Sequence, residues 1–239
     1  MEHNRILKEL YPFKIELHAH TTPASPCSQI TPEEMVRIYK EHGFSGVVIT
    51  NHFNLDVLYK GSREEAVDRY LSDFNKAKEL GDKEGISVYL GAEVRFKENM
   101  NDYLIFGVDR DILLKVYDYL DKGIKAFREE CSLPNSAFLQ AHPFRDGMTR
   151  VDPKLLDGIE IFNMHPGHNS RNAFAMRLYN ENPHFIVSAG SDFHHPNRGH
   201  EANAGARFKS LPSDSFGLFS LLSSGDYVFE IGSKVIIVP

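Results

Sequence analysis

Short apolar segments alternate along the chain with longer segments that carry many polar residues. The apolar segments have the length and composition of buried strands. The polar-faced segments between them have the length of helices. Strands are predicted over 13–20, 46–50, 86–92, 103–108, 137–141, 158–162 and 184–189, and helices over 32–42, 62–84, 111–131, 169–180 and 213–223.

This alternation of strand and helix predicts an α/β protein with a parallel sheet. Seven such strands favour a closed or nearly closed barrel over an open doubly wound sheet. No Gly-x-Gly-x-x-Gly motif follows the first strand, so a dinucleotide-binding fold has little support. Because no repeat, low-complexity segment or flexible linker interrupts the pattern, residues 1–239 are predicted to form a single domain.

Composition narrows the functional classes. The 239 residues are 41% hydrophobic and 25% charged, with a net charge of -6, which counts against broad nucleic-acid binding. Cys27 and Cys131 are the two cysteines, so no disulfide framework is expected and a reducing compartment fits. No segment has the features of a signal peptide or a membrane span, and the sequence predicts a cytoplasmic protein without membrane contact.

Histidines and acids follow the predicted strands. His18 and His20 are two residues apart at the end of the first strand, and Asp192 and His194 repeat this spacing after the last. Residues two apart in a strand point to the same face, so each pair can converge on one point. The carboxyl ends of barrel strands share one mouth, where active sites lie. The residues at these ends are His18, His20, His52, Glu93, His142, His165, Asp192 and His194.

Imidazole and carboxylate ligands together suit zinc, manganese or iron. There are more candidates than one tetrahedral ion needs, so two or three divalent ions are expected, with Glu93 or Asp192 bridging them. Such a centre can bridge a hydroxide that attacks a phosphate ester. Three divalent ions would outweigh the negative charge of Glu93, Asp192 and Asp102, so the pocket would attract phosphate inside an acidic protein.

Five short motifs in this order resemble those of the PHP family, the polymerase and histidinol phosphatase family. They are His18-Ala19-His20, Thr50-Asn51-His52, Gly91-Ala92-Glu93, Ala141-His142-Pro143 and Gly190-Ser191-Asp192-Phe193-His194. The resemblance implies a distorted, TIM-like (β/α)7 barrel with a trinuclear centre that hydrolyses phosphate esters. It implies one ion at His18, His20, Glu93 and Asp192, a second at Glu93 and His142, and a third at His52 and His194.

The sequence departs from the family pattern at three positions. Asn51 replaces an aspartate that many members have before the histidine. Asp102 stands where many members have a histidine, and carboxylate can replace imidazole, so Asp102 is predicted to be a metal ligand. Cys27 lies where members often supply a histidine or aspartate to the third ion. It could bind as thiolate, but a small buried cysteine is expected, which would leave the third site weak or empty.

Arginines and further histidines follow the later strands. Arg145, Arg171 and Arg198 are candidates for bidentate contact with the substrate phosphate. His165 and His168 flank Pro166-Gly167, and one of them could protonate the leaving alkoxide or touch the phosphate.

The sequence therefore predicts a metal-dependent phosphoesterase that acts on a small-molecule phosphomonoester. Histidinol phosphatase is one alternative, although no residue identifies the imidazole subsite it would need. A 3′-5′ exonuclease would need a basic track with stacking aromatic residues, and the acidic charge and absence of Trp count against it. A metal-binding module without turnover is the third alternative, because Asn51 and Cys27 depart from the family pattern.

Overall fold

The computed structural model describes residues 2–196, 201–232 and 235–237. The strands are β1 Phe13–Ala19, β2 Gly46–Ile49, β3 His52–Phe53, β4 Ser87–Arg95, β5 Asp102–Phe106, β6 Ala137–Gln140, β7 Gly158–Asn163, β8 Ile186–Gly190, β9 Ala204–Phe208, β10 Val228–Ile231 and β11 Val235–Ile237. The helices are α1 Glu2–Leu10, α2 Pro32–Glu41, α3 Arg63–Glu84, α4 Arg110–Tyr117, α5 Gly123–Glu130, α6 Asn172–Glu181 and α7 Ser215–Ser224, with a 3₁₀ turn at Pro153–Leu155.

One sheet of strands curls into a nearly closed barrel. Its order is β11-β10-β9-β1-β2-β4-β5-β6-β7-β8, and β3 pairs with β4. The barrel closes where the chain after β8 meets the end of β1: Ala19 bridges Phe193 in parallel, and the His20 N–H donates to the Phe193 carbonyl at 3.1 Å. The predicted barrel-like α/β fold is confirmed, with β3, β9, β10 and β11 added to the seven strands expected.

The prediction of a wholly parallel sheet is wrong at β5, which runs antiparallel to both β4 and β6. Only residues 96–101 connect β4 to β5. A parallel connection needs a dozen or more residues, so this short segment permits only a turn back. As a result, the beginning of β5 lies at the same barrel mouth as the end of β4, and Arg95 is paired with Asp102. β9 is likewise antiparallel to β1.

The helices begin and end where the sequence contains capping residues. Thr31 caps α2 through a capping box with Glu34, and Ser62 does the same for α3 with Glu65. The segment predicted as one helix over 111–131 is two helices, α4 and α5, with Gly123 at φ 89° between them. Glycine adopts this positive φ without steric cost, so the chain can turn there.

Large apolar side chains fill the barrel and the layer between sheet and helices. Tyr103 stacks on Phe138 with ring centroids 4.7 Å apart, and both are almost fully buried. Buried acids and histidines interrupt this core at one mouth of the barrel. Among the described residues, no helix is both long and apolar enough to cross a bilayer.

Candidate metal centre

Seven side chains from five parts of the chain converge at the mouth of the barrel. Each lies near the end of a strand, so the sheet itself brings them together. Six of them are buried and the seventh, His52, is partly exposed. They are His18 in β1, His20 just past it, His52 in β3, Glu93 in β4, His142 after β6, and Asp192 and His194 after β8.

Glu93 is at the centre of this cluster. Its Oε1 lies 3.2 Å from His18 Nε2 and 3.0 Å from His142 Nε2. Its Oε2 lies 2.7 Å from His52 Nδ1 and 3.5 Å from His20 Nε2. Each oxygen therefore faces a different pair of imidazoles, which is the geometry required of a carboxylate that bridges two ions.

Asp192 closes the opposite side of the cluster. Its Oδ1 is 3.3 Å from His20 Nε2, 3.5 Å from His18 Nε2 and 3.3 Å from His194 Nδ1. The backbone of Asp192 has φ 50°, an uncommon conformation for a residue with a side chain. The ring of His194 stacks on that of His20, with centroids 4.2 Å apart.

The nitrogen and oxygen atoms at this mouth fit divalent metal ions. Buried polar atoms normally have hydrogen-bond partners, and a buried atom without one is costly. Several buried atoms here have none: His18 Nε2, His20 Nε2, His52 Nδ1, Glu93 Oε2 and His142 Nδ1. Four sets of three residues place one potential ligand atom each within 4.8 Å of one another: His20, His52 and His194; His18, His142 and Asp192; His18, His20 and Glu93; His52, Glu93 and Asp102.

Burial and neighbouring charges shift the pKa values of the two histidines of the first strand in opposite directions. Burial disfavours the charged form of His18, but Glu160, Asp192 and Glu93 outweigh burial and raise its pKa well above the usual value. Burial and the neighbouring His194 and His52 lower the pKa of His20 well below the usual value. His20 is therefore a neutral imidazole at neutral pH, the form that binds metal.

The sequence interpretation missed two buried acids that orient this cluster. Glu160 Oε1 lies 2.9 Å from His18 Nδ1, and its Oε2 accepts hydrogen bonds from the N–H of His142 at 2.9 Å and from Asn163 Nδ2 at 3.1 Å. Glu16 accepts from the backbone N–H groups of His18 and Ser191 at 3.0 and 2.9 Å. Both acids stand inside otherwise apolar strand segments, a signal that could have identified them.

Asn51 builds the loop beneath His52. Its Oδ1 accepts from the Thr21 N–H at 2.6 Å and from Ser25 Oγ at 3.0 Å, while its Nδ2 donates to Thr21 Oγ1 at 2.8 Å. That Thr21 hydroxyl already donates to Asp73 at 3.0 Å. The position therefore needs a donor as well as an acceptor, which an amide supplies and a carboxylate does not.

The expectation of a buried Cys27 is wrong, because this residue is exposed at the rim. Its neighbours in the loop hold it over the cluster: Ser28 Oγ donates to the carbonyl oxygens of His20 and His194 at 2.8 and 3.3 Å. Partial burial raises the pKa of the thiol, but hydrogen bonds with His194 and His52 outweigh it and lower the pKa to about 6.

Asp102 lies at the barrel mouth because β5 is reversed. Its side chain is buried, and its Oδ2 is 3.8 Å from His142 Nε2. Both of its oxygens accept hydrogen bonds from arginines: Arg95 from β4 and Arg145 from the loop after His142. The sequence interpretation included Arg145 but missed Arg95.

The three arginines predicted to contact the substrate phosphate differ in their surroundings. Arg145 Nη1 lies 3.9 Å from Asp192 Oδ2, at the edge of the cluster. Arg171 donates to the Phe144 carbonyl and pairs with Asp146, so protein groups already hold its guanidinium. Arg198 lies outside the described residues.

His165 and His168 form a stacked pair beside the cluster. Their ring centroids are 4.5 Å apart, and the His165 ring is 5.5 Å from that of His194. Burial lowers the pKa of His165 to about 4. Because the Gly167 N–H donates to His165 Nδ1 at 3.0 Å, the proton of the neutral ring is on Nε2.

Several solved structures are similar to this fold. The chain is similar to a two-domain protein containing a predicted PHP-like metal-dependent phosphoesterase from Bacteroides vulgatus ATCC 8482, at 15% identity and a TM-score of 0.60 over 92% of this chain and 65% of that one. It is similar to PsfC from Pseudomonas syringae PB-5123, at 16% identity and a TM-score of 0.63 over 93% and 92%. This chain thus spans about two thirds of the Bacteroides protein.

A third similar structure is Endonuclease Q in complex with a 27-mer duplex that carries an abasic lesion, at 12% identity and a TM-score of 0.57 over 95% of this chain and 58% of that one. A search of curated proteins returned no match. At these identities the structures establish the fold alone.

The sequence itself matches the PHP domain over residues 16–182, well over half of the chain. That range contains four of the five histidines of the cluster, Glu93 and both buried acids, while Asp192 and His194 follow it. The match agrees with the motifs in their expected order and with the barrel that joins them at one mouth. The chain belongs to the PHP-domain family, and the membership predicted from the motifs is confirmed.

Proposed function

We propose that this protein hydrolyses a small-molecule phosphomonoester at a centre of two or three divalent ions. The observation that carries the proposal is Glu93, whose two oxygens face four imidazoles within 3.5 Å. Stabilising a protein core does not by itself require four imidazoles around one buried carboxylate. Zinc, manganese and iron are the ions that suit it.

The distances between potential ligand atoms support the following ion positions. His18, His20, Glu93 and Asp192 would hold one ion, and His142 with Glu93 a second. His52 and His194 would hold a third, with Cys27 at its open side. Bound ions would supply Lewis-acid charge and an activated water for phosphoryl transfer.

The protein's own groups would bind and orient the substrate. Arg145, at the edge of the cluster, presents N–H donors to a phosphate at the barrel mouth. His165 is neutral at neutral pH and carries its proton on Nε2, so it would donate a hydrogen bond to the phosphate or to the leaving oxygen. His168 stacks on His165 and restricts its ring.

The first experiment measures turnover of an aryl phosphate by protein loaded with zinc and then with manganese, alongside metal analysis. His20→Ala is expected to lose both bound metal and activity, and Glu93→Ala to be at least as severe because it serves two ions. His184→Ala, at an exposed position away from the mouth, is the matched control and is expected to match wild type. Fully loaded wild-type protein without hydrolysis would contradict the proposal and favour a non-catalytic metal-binding module.

Turnover of a panel of candidate substrates identifies the substrate. Histidinol phosphate, sugar phosphates, nucleotides and short DNA strands cover the alternatives, including the nucleic-acid chemistry of Endonuclease Q. The acidic net charge of -6 favours the small phosphate esters. Preferential cleavage of DNA would overturn that part of the proposal while leaving the metal centre in place.

A further inference from the structure

We propose that Arg95 binds the phosphate of the substrate and that Asp102 is a positioning residue, which holds Arg95 and Arg145 instead of a metal ion. This inference rests on the proposed function, because it concerns the same mouth of the barrel. It assigns a role to an arginine that no sequence motif indicates. It also gives Asp102 a role that competes with the predicted one of metal ligand.

Arg95 lies on the face of β4 that carries the metal cluster. It follows Glu93 by two residues, and residues two apart in a strand point to the same side. The reversed strand β5 places Asp102 directly opposite Arg95 in the antiparallel register. Arg95 Nε donates to Asp102 Oδ1 at 2.7 Å and Arg95 Nη2 to Oδ2 at 2.9 Å, a bidentate fork.

A second guanidinium shares the same carboxylate. Arg145 Nη2 donates to Asp102 Oδ2 at 3.0 Å, while Arg145 Nη1 is 3.9 Å from Asp192 Oδ2. The side chain of Asp102 is 1% exposed, and those of Arg95 and Arg145 are 21% and 16% exposed. Two largely buried guanidinium groups therefore share the carboxylate of Asp102 at the edge of the cluster.

This arrangement suits a bound anion. A guanidinium carries five N–H donors, and one shared carboxylate cannot accept all the donors of two guanidinium groups, so the pair can also bind an anionic ligand. Among the residues that the structure describes, no protein acceptor takes a hydrogen bond from Arg95 Nη1. Those N–H groups remain for a phosphate oxygen, and guanidinium N–H geometry matches phosphate.

The same contacts argue against metal ligation by Asp102. Its Oδ2 already accepts two guanidinium N–H groups, and its Oδ1 accepts a third. An ion at Asp102 would have to displace a guanidinium or lie beside two cations, and both are electrostatically unfavourable. Arginine forks also fix the side chains that they join, so Asp102 would keep both guanidinium groups in position for the phosphate.

The test measures binding of inorganic phosphate to the metal-loaded protein by calorimetry, with metal content and aryl phosphate kinetics determined in parallel. Arg95→Ala is expected to weaken phosphate binding and raise KM about 10- to 100-fold, the loss typical of hydrogen bonds to a charged group. Its metal content should equal that of wild type. Arg95→Lys should recover part of the phosphate affinity, because it keeps the charge but not the fork.

Asp102→Asn separates the two roles. If Asp102 is a positioning residue, the Asp102→Asn variant would keep the full metal content, bind phosphate more weakly and change KM more than kcat. Loss of an ion in Asp102→Asn would overturn the positioning role and establish a ligand. Arg110→Ala is the matched control, because Arg110 forms the same bidentate fork with Asp68 on the exposed surface.

The outcomes also distinguish this inference from the proposed function. Wild-type protein that binds phosphate through Arg95 but hydrolyses no ester would refute the proposed function alone. Hydrolysis by wild type with unchanged phosphate affinity and KM in Arg95→Ala would refute the inference alone. Absence of phosphate binding by metal-loaded wild-type protein would also refute the inference.

Discussion

Replacing Glu160 with glutamine tests whether buried acids behind the metal ligands control the centre. Glu160 touches the candidate ligands without facing the ions: Oε1 contacts His18 Nδ1, and Oε2 accepts the backbone N–H of His142 and the amide of Asn163. Glutamine has nearly the same shape, so the substitution removes charge and one acceptor with little change in packing.

The expected magnitude follows from these three contacts. In one amide orientation the glutamine NH₂ group faces the donors of His142 and Asn163, and in the other it faces His18 Nδ1. Each hydrogen bond to a carboxylate contributes about 1.5–3 kcal/mol, and at least one is lost in either orientation. Partners that orient metal-ligating histidines typically contribute about 10- to 100-fold in metal affinity, and we expect a loss in that range.

Metal affinity is measured by competition with a chromogenic chelator, using zinc and the apoprotein. The matched control is Glu181→Gln, because Glu181 is exposed and pairs with Arg177 on the same helix. Surface pairs of this kind contribute little, so the control should bind zinc like wild type. A Glu160→Gln variant that is folded and binds zinc with wild-type affinity would refute the reasoning.

Three further outcomes are expected. In the apoprotein the lowered pKa keeps the Cys27 thiol ionised above about pH 6, so its alkylation rate should be half-maximal near that pH. The alkylation of Cys131, whose pKa is raised, should be half-maximal at a much higher pH, and equal pH profiles for the two cysteines would contradict this. Asn51→Asp should destabilise the protein by about 1–3 kcal/mol in urea unfolding, because a carboxylate cannot donate to Thr21, and unchanged stability would show that the donor is dispensable. Gly190→Ala would place a Cβ 2.3 Å from that of His18, so zinc affinity should fall, and a variant with normal affinity would exclude this contact as a constraint.

The convergence of the candidate ligands could be predicted from the sequence because strand-end residues obey a simple rule. The carboxyl ends of parallel strands share one mouth, so His18, His142 and Asp192 could be grouped without coordinates. The family motifs then supplied their order along the chain. Which of them hold ions remains a prediction for metal analysis.

Asp102 shows where that rule fails. It stands at the start of its strand, which in a parallel barrel is the wrong mouth, and only the reversal of β5 brings it to the cluster. The strands predicted over 86–92 and 103–108 left only residues 93–102 between them, which is already shorter than a parallel connection needs. Its partner Arg95 had no distinguishing motif, because a fork between two neighbouring strands depends on register and side-chain direction, which the sequence does not specify.

The buried acids illustrate a different limit. Glu16 and Glu160 interrupt apolar strands, so their burial could be expected, but their partners lie far away in the chain. Hydrogen bonds between residues 175 or 142 positions apart follow from the closure of the barrel. Cys27 is similar, because the turn that exposes it depends on Ser28 contacting two strand ends at once.

The central claim is that distant imidazoles and acids form one polynuclear centre around Glu93. Anomalous diffraction from crystals loaded with zinc or manganese, combined with metal analysis of the same protein, tests this most directly. The account predicts two or three anomalous peaks at the barrel mouth, with at least two of them coordinated by Glu93. A single peak that avoids Glu93, or full loading at sites elsewhere on the molecule, would contradict it.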